Sequence, residues 1–199
     1  MDPGQYIAYA VGIDASGKAT GSYAVSEPFL EVDYPMTPGY SNLIGNWKVV
    51  DADGVNFIVS FSQDRVNRSL IMTGWGGTST PIKVDFYQKY NTFNIYAQLL
   101  EVNASGTANG QTIQGNLYFQ GWYKSGEITR YTSVPDKVAV AEPINENQSL
   151  YTVTSGFYVT DNYTEFDCPM GAVLVLCANN KNYYNSKTKT LFPLQMTKL

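Results

Sequence analysis

Four aromatic residues, Tyr118, Phe119, Trp122 and Tyr123, fall within the short stretch GNLYFQGWYK. Rings at that density suit one kind of chemistry. Sugar CH faces stack on aromatic surfaces while neighbouring amides bind the hydroxyls. Trp75, Tyr87 and Tyr96 lie on other segments, and Gln98, Gln114 and Gln120 supply amides. The expected ligand-binding set is therefore Trp75, Tyr87, Tyr96, Gln98, Tyr118, Gln120 and Trp122. The competing reading is structural, since aromatic rings are first of all core and cross-strand residues.

Catalysis has fewer means at its disposal. The chain contains no histidine, which removes Ser-His-Asp and Cys-His nucleophile activation, histidine-ligated zinc and histidine general bases. Asp161, Glu165 and Asp167 in TDNYTEFDCP are carboxylates of the kind glycosidases use. That chemistry needs two carboxyls at a set separation across a cleft, and nothing in the order of residues makes them face each other, so they read as polar loop residues. The DADG stretch, Asp51 to Gly54, begins like a calcium loop but lacks the further oxygen ligands and the distant Glu. It reads as a solvated hairpin turn. No enzyme activity, metal or cofactor is expected.

Cys168 and Cys177 are separated by PMGAVLVL. With PMG as a turn and AVLVL as the returning strand, the two lie roughly 16 Å apart at about 3.3 Å per residue. A disulfide needs Cα atoms within about 7 Å, so two buried free thiols are the leading expectation and a disulfide the lesser one.

Composition narrows the partners. A chain of 199 residues with 44% hydrophobic and 15% charged residues is an ordinary folded protein. Its 16 Tyr and 9 Phe, with many Thr, Val and Asn, favour strands over helices. The net charge is −4, and Lys and Arg are scattered, which argues against nucleic acid or an anionic membrane as partner. The opening MDPGQYIAYAVGID carries neither a basic leader nor an apolar span, so this segment is expected to be soluble. A start inside a strand reads as a piece of a larger multi-domain chain.

The elements that must position these side chains are short strands. YIAYAVGID (6–14) alternates, with Ile7, Tyr9, Val11 and Ile13 opposite Ala8, Ala10 and Gly12; DASGK turns it, and ATGSYAVSEPF (19–29) completes a hairpin. EVDYPMTPGYS reads as a linker, dividing a hairpin at 1–36 from a domain at 41–199. Thereafter strand signals recur about every ten residues: WKVVDA, NFIVSFSQ, SLIMTGW, IKVDFYQ, FNIYAQLLEV, QGNLYFQGWYK, EITRYTS, SLYTVTSGFYV, AVLVLCAN and LFPLQMTKL. The intervening turns include NASGTANG and NNKN. Phe57, Val59 and Phe61 share one face, as do Ile82, Val84 and Phe86. In SLIMTGW, parity does not decide between Ile71 with Trp75 and Leu70 with Met72. Only DKVAVAEPI suggests a helical turn. The pattern is all-β, an antiparallel barrel or sandwich.

GNWKV, Gly45 to Val49, opens this meander. A glycine there allows a close backbone turn, and the Trp47 indole is large enough to plug one end of a barrel. The order GNWKVVDADGVNFIVSFS, SLIMTGW, PIKVDFYQKYNTFNIYAQLLE resembles calycin-like (lipocalin-like) C-terminal domains of Bacteroidota cell-surface lipoproteins. YIAYAVGIDASGKATGSYAVSEPF is similar to the closing strands of a fibronectin-III or Ig-like module. The resemblance implies an up-and-down calycin-like barrel of eight to ten strands, closed by Gly45 and Trp47 with a late cation over the indole. Lys198 is the leading candidate, ahead of Lys187 and Lys189. It also implies an extracellular or cell-surface location on an outer-membrane lipoprotein parent, although no lipidation cysteine stands near the start of this chain. The expected function is non-catalytic binding of a glycan or small apolar molecule. The alternatives are a structural or adhesive spacer with a filled barrel, and a partner-binding domain using its loops. Whether the barrel is hollow separates the first two.

Overall fold

The computed structural model of the chain describes residues 4–6, 9–25, 29–31, 35–108, 110–156 and 168–199. It divides into two compact units, Met1–Pro35 and Met36–Leu199. In the first, β1 (Gly4–Tyr6), β2 (Tyr9–Ile13), β3 (Ala19–Val25) and β4 (Phe29–Glu31) form two antiparallel pairs, β1 with β4 and β2 with β3. The turn between β2 and β3 is an Asp-centred one, the Asp14 carboxylate accepting from the Ser16 and Lys18 amides. Val11 and Ile13 are exposed; Ile7 and Ala8 lie outside the described residues.

The second unit opens with α1 (Pro38–Leu43). Its stretch reads as linker in the sequence because six residues are too few for a helical period to show. Local chemistry nevertheless specifies it, with Pro38 at the first turn and the Thr37 hydroxyl accepting from the Tyr40 amide. Then follow β5 (Gly45–Val50), β6 (Asn56–Arg65), β7 (Ser69–Thr73), β8 (Ile82–Tyr87) and β9 (Thr92–Tyr96). The chain next leaves this sheet for β10 (Gln98–Ala108), β11 (Gln111–Ser125) and β12 (Ile128–Tyr131), and returns with β13 (Lys137–Pro143) and β14 (Leu150–Ser155). A second excursion makes β15 (Gly171–Ala178) and β16 (Lys181–Tyr184), after which β17 (Leu194–Lys198) pairs with both β14 and β5. Eight strands, β5 to β9 with β13, β14 and β17, thus close an antiparallel barrel, and the other five form a separate sheet in the order β10-β11-β15-β16 with β12 also on β11.

This differs from one continuous meander. QGNLYFQGWYK, EITRYTS, AVLVLCAN and most of AQLLEV belong to the second sheet, and DKVAVAEPI is a barrel strand with no helical turn. NASGTANG is mostly strand, since β10 runs on to Ala108, and NNKN leads into β16.

The barrel interior is filled. Leu70 and Met72 point inward with Phe61, Ile82, Val84 and Phe86, while Ile71 stays half-buried on the outside. Rings meet across the lumen: Trp47 lies edge to face with Tyr151 at 5.5 Å, Tyr151 is tilted against Phe93 at 5.7 Å, and Phe93 lies edge to face with Phe61 at 5.4 Å. An eight-stranded barrel is just wide enough to be packed this way. α1 covers one end with the fully buried Tyr40 and Leu43, and the Tyr40 hydroxyl donates to the Ser69 carbonyl.

The second sheet joins this core through one side. Leu117 and Phe119 of β11 and Ala172 and Leu174 of β15 pack with the barrel residues. The opposite face carries its own small cluster of Trp122, Val173 and Val175. Asp51 ties the two parts at the β5–β6 turn. It is buried, and its carboxylate accepts from the amides of Asp53, Val55 and Leu191, so the DADG turn is a hairpin turn whose first residue faces inward and not to solvent.

Burial pushes the Tyr151 phenol up to about 12 from its ordinary 10.0, and its hydroxyl donates to the Asn91 carbonyl. A phenol that holds its proton more tightly when folded contributes stability in full below the unfolded value and loses it as pH rises through the folded one. The difference between tyrosinate absorbance titrations of the wild type and Tyr151→Phe is expected to have its midpoint near pH 12; a midpoint at 10.0 would contradict the buried placement.

Candidate functional site

The closing group assembles as one unit. Gly45 has φ +115°, a backbone conformation that favours glycine. The Trp47 indole is fully buried and its N–H donates to the Leu43 carbonyl at the end of α1. The Lys198 ammonium sits 5.0 Å from the indole ring centre and donates to the carbonyls of Asn42 and Ile44. Desolvation lowers the Lys198 pKa. A Cβ on Gly45 would stand 3.3 Å from that ammonium, so the glycine also makes room for the cation.

The seven ligand candidates do not form one platform. Trp75 is a correction: at 2% exposure it lies between barrel and second sheet, edge-on to Phe57 and Phe119 at 5.3 and 5.2 Å, with its N–H donating to the Thr188 carbonyl. It has no face left for a ligand. Its one-turn helix needs glycines on both sides, because a Cβ on Gly74 or Gly76 would strike the Ile58 or Lys187 carbonyl. Tyr87, Tyr96 and Gln98 gather on the outer barrel wall, where the two phenol oxygens are 3.3 Å apart and Tyr96 accepts from Asn94. That shared hydrogen bond raises the Tyr87 pKa. Gln98 is engaged at both ends of its amide, accepting from the Lys83 N–H and donating to the Lys83 carbonyl, each at 2.9 Å. Here a side chain imitates a strand, and it is not free to bind hydroxyls.

Tyr118, Gln120 and Trp122 share the second sheet's far face, in register with Val175, Val173 and Gly171. Trp122 is buried, its N–H donating to the Thr190 carbonyl and its ring covered by the Lys189 ammonium at 3.9 Å. Desolvation, then the Lys124 charge, lowers the Lys189 pKa. Gln120 donates to the Thr132 carbonyl, while its own carbonyl oxygen is buried with no partner among the described residues. Cys168 is exposed, contrary to the expected burial, and Cys177 is half-buried; both are free. Asp161, Glu165 and Asp167 lie outside the described residues. Among the described residues no three His, Cys, Asp or Glu side chains cluster as metal ligands would, and no helix is long and apolar enough to cross a membrane.

A concavity suited to a ligand lies elsewhere, on the barrel-facing side of the second sheet. It is a cleft of about 920 Å³, at the upper end of the usual range for small-molecule sites. Its apolar surface comes from Ala104 and Gly106 of β10, Ile113 and Leu117 of β11, and Leu174 and Leu176 of β15. Thr78 and Thr80, which follow the Trp75 turn, and Tyr183, Asn185, Ser186 and Thr188 supply polar walls. Leu176 packs over Gly106, where a Cβ would come within 2.8 Å of its side chain, and Ala104 adds only a methyl group to the lining. The signal in the sequence was the period-two run Ala104, Gly106, Ala108, which looks like turn composition until its pairing with β11 is known.

No protein-family model, curated protein or solved structure matches this chain.

Trp75→Ala is expected to destabilise the protein by about 3–5 kcal/mol, as for other buried large aromatics. Gln98→Ala is expected to cost about 0.5–1.5 kcal/mol, since the freed Lys83 backbone groups are exposed and pass to water. Urea unfolding measures both, and an unchanged midpoint for Gln98→Ala would show that the strand-like clasp contributes nothing.

Proposed function

We propose that this chain is a non-catalytic binding module whose ligand, a glycan or a small molecule, seats in the cleft beneath the second sheet. The supporting observation is the cleft itself, with an aliphatic floor of Leu174, Leu176, Leu117 and Ile113 facing walls of hydroxyls and amides. Ligand sites characteristically combine a mostly apolar concavity with a few convergent polar groups. The ring-packed barrel supports a site outside the lumen. The resemblance of the GNWKV region and the strands after it to calycin-like surface domains supports a place within a larger extracellular or cell-surface lipoprotein. The net charge of −4 supports partners other than nucleic acid.

The filled barrel also favours a second reading, a structural or adhesive spacer that holds no ligand. A thermal-shift screen against glycans and small apolar molecules separates the two. Binding in the cleft requires that Leu176→Trp, which fills the hollow, weaken any hit by at least about ten-fold, and that Tyr183→Ala weaken it as well, with the far-ultraviolet spectrum of each variant unchanged. A screen that raises the melting temperature with nothing supports the spacer.

A further inference from the structure

We infer that the cleft takes an uncharged oligosaccharide. The inference rests on the reading of the cleft as a binding site and narrows what enters it. Charge makes the first selection. None of the residues lining the cleft is Lys or Arg, and the only charged side chain among them is Glu101. A carboxylate, sulfate or phosphate would leave water without a cation to meet it and would face a like charge on the wall, which is unfavourable in a partly desolvated hollow. Acidic sugars, nucleotides and ionised fatty acids are therefore disfavoured.

Polarity makes the second selection. Among the described residues, the hydroxyls of Thr80, Tyr183 and Ser186 have no protein partner. A wholly apolar guest would cover these groups and leave their hydrogen bonds unmade, which is unfavourable for each one buried. A pyranose ring meets both requirements. Its CH face can lie on Leu176, Leu174, Leu117 and Ile113, while its hydroxyls reach the walls and exchange hydrogen bonds with groups that both donate and accept.

Shape makes the third. The cleft runs across the sheet from β10 to β16, three inter-strand gaps of about 4.8 Å each, or roughly 14 Å. Ser105, Thr107 and Asn182 at its margins are exposed, so a chain longer than one ring can continue into solvent.

Calorimetric titration of the full 199-residue chain tests this with three sets of probes. The neutral set is the hexaoses of β-1,4-glucan, β-1,3-glucan, α-1,4-glucan, β-1,4-xylan and β-1,4-mannan; the acidic set is oligogalacturonate and a heparin hexasaccharide; the apolar probe is dodecanol. At least one neutral hexaose is expected to bind, with affinity falling about ten-fold or more in Leu176→Trp. Glu101→Lys is expected to admit an acidic oligosaccharide that the wild type refuses. If an acidic or apolar probe binds the wild type and is lost in Leu176→Trp while no neutral hexaose binds, the oligosaccharide inference falls and the cleft reading stands. If no probe of any set binds, both fall.

Discussion

The Trp75 indole lies where the barrel and the second sheet share a single core, with Phe57 of β6 at one edge and Phe119 of β11 at the other. Its N–H holds the Thr188 carbonyl, and Thr188 in turn binds β15 through the Leu174 amide. Five strands whose backbone ladders pair only with one another would otherwise stand off an independently closed barrel. The large buried aromatic body joins them, because removing two apolar faces from water at one point is the strongest non-directional attraction available to the chain. The cleft depends on the same joint. Thr78 and Thr80 on one wall and Ser186 and Thr188 on another leave the anchor on either side, so the position of the indole sets the width of the hollow.

The barrel itself is organised around closure and packing. Lys198 on the last strand faces Trp47 on the first in register, and its ammonium satisfies two carbonyls at the end of α1. One cation thus fastens the seam of the barrel and the helix that covers its end. Rings from β5, β6, β9 and β14 then fill the lumen. A barrel packed in this way is a scaffold, and the ligand-sized cleft described above lies where the second sheet, lined with Ala and Gly, stands beside the barrel without filling the gap.

Legibility followed the range of the interaction concerned. The alternation of Ile82, Val84 and Phe86 showed which face is buried, because each residue's partner in that pattern is two positions away. The glycine at 45, the indole at 47 and the cation at 198 were readable as a set through a resemblance. TPGYSNL was not readable as helix by periodicity, since its caps and not its pattern define it. In SLIMTGW the inward pair is Leu70 and Met72, and Trp75 lies beyond the end of β7 in a separate turn, so strand parity could not place it. The candidate site fared worst. Ring type does not reveal burial: Trp75 and Trp122 are buried with their N–H groups bonded, while the hollow lies beside small residues whose composition is that of a turn.

The residues alone determined that this chain is all-β, that histidine chemistry is closed to it, and which side of most strands faces a core, because composition and a period of two are local properties. Only the tertiary structure decided that the strands divide between a closed barrel and a second sheet, since an alternating strand carries the same pattern whichever neighbour it pairs with. The same limit holds for the cleft. A concavity is the absence of side chains between two surfaces, and it exists only when segments far apart in the chain, Thr78 and Gly106 and Leu176, are brought to face one another.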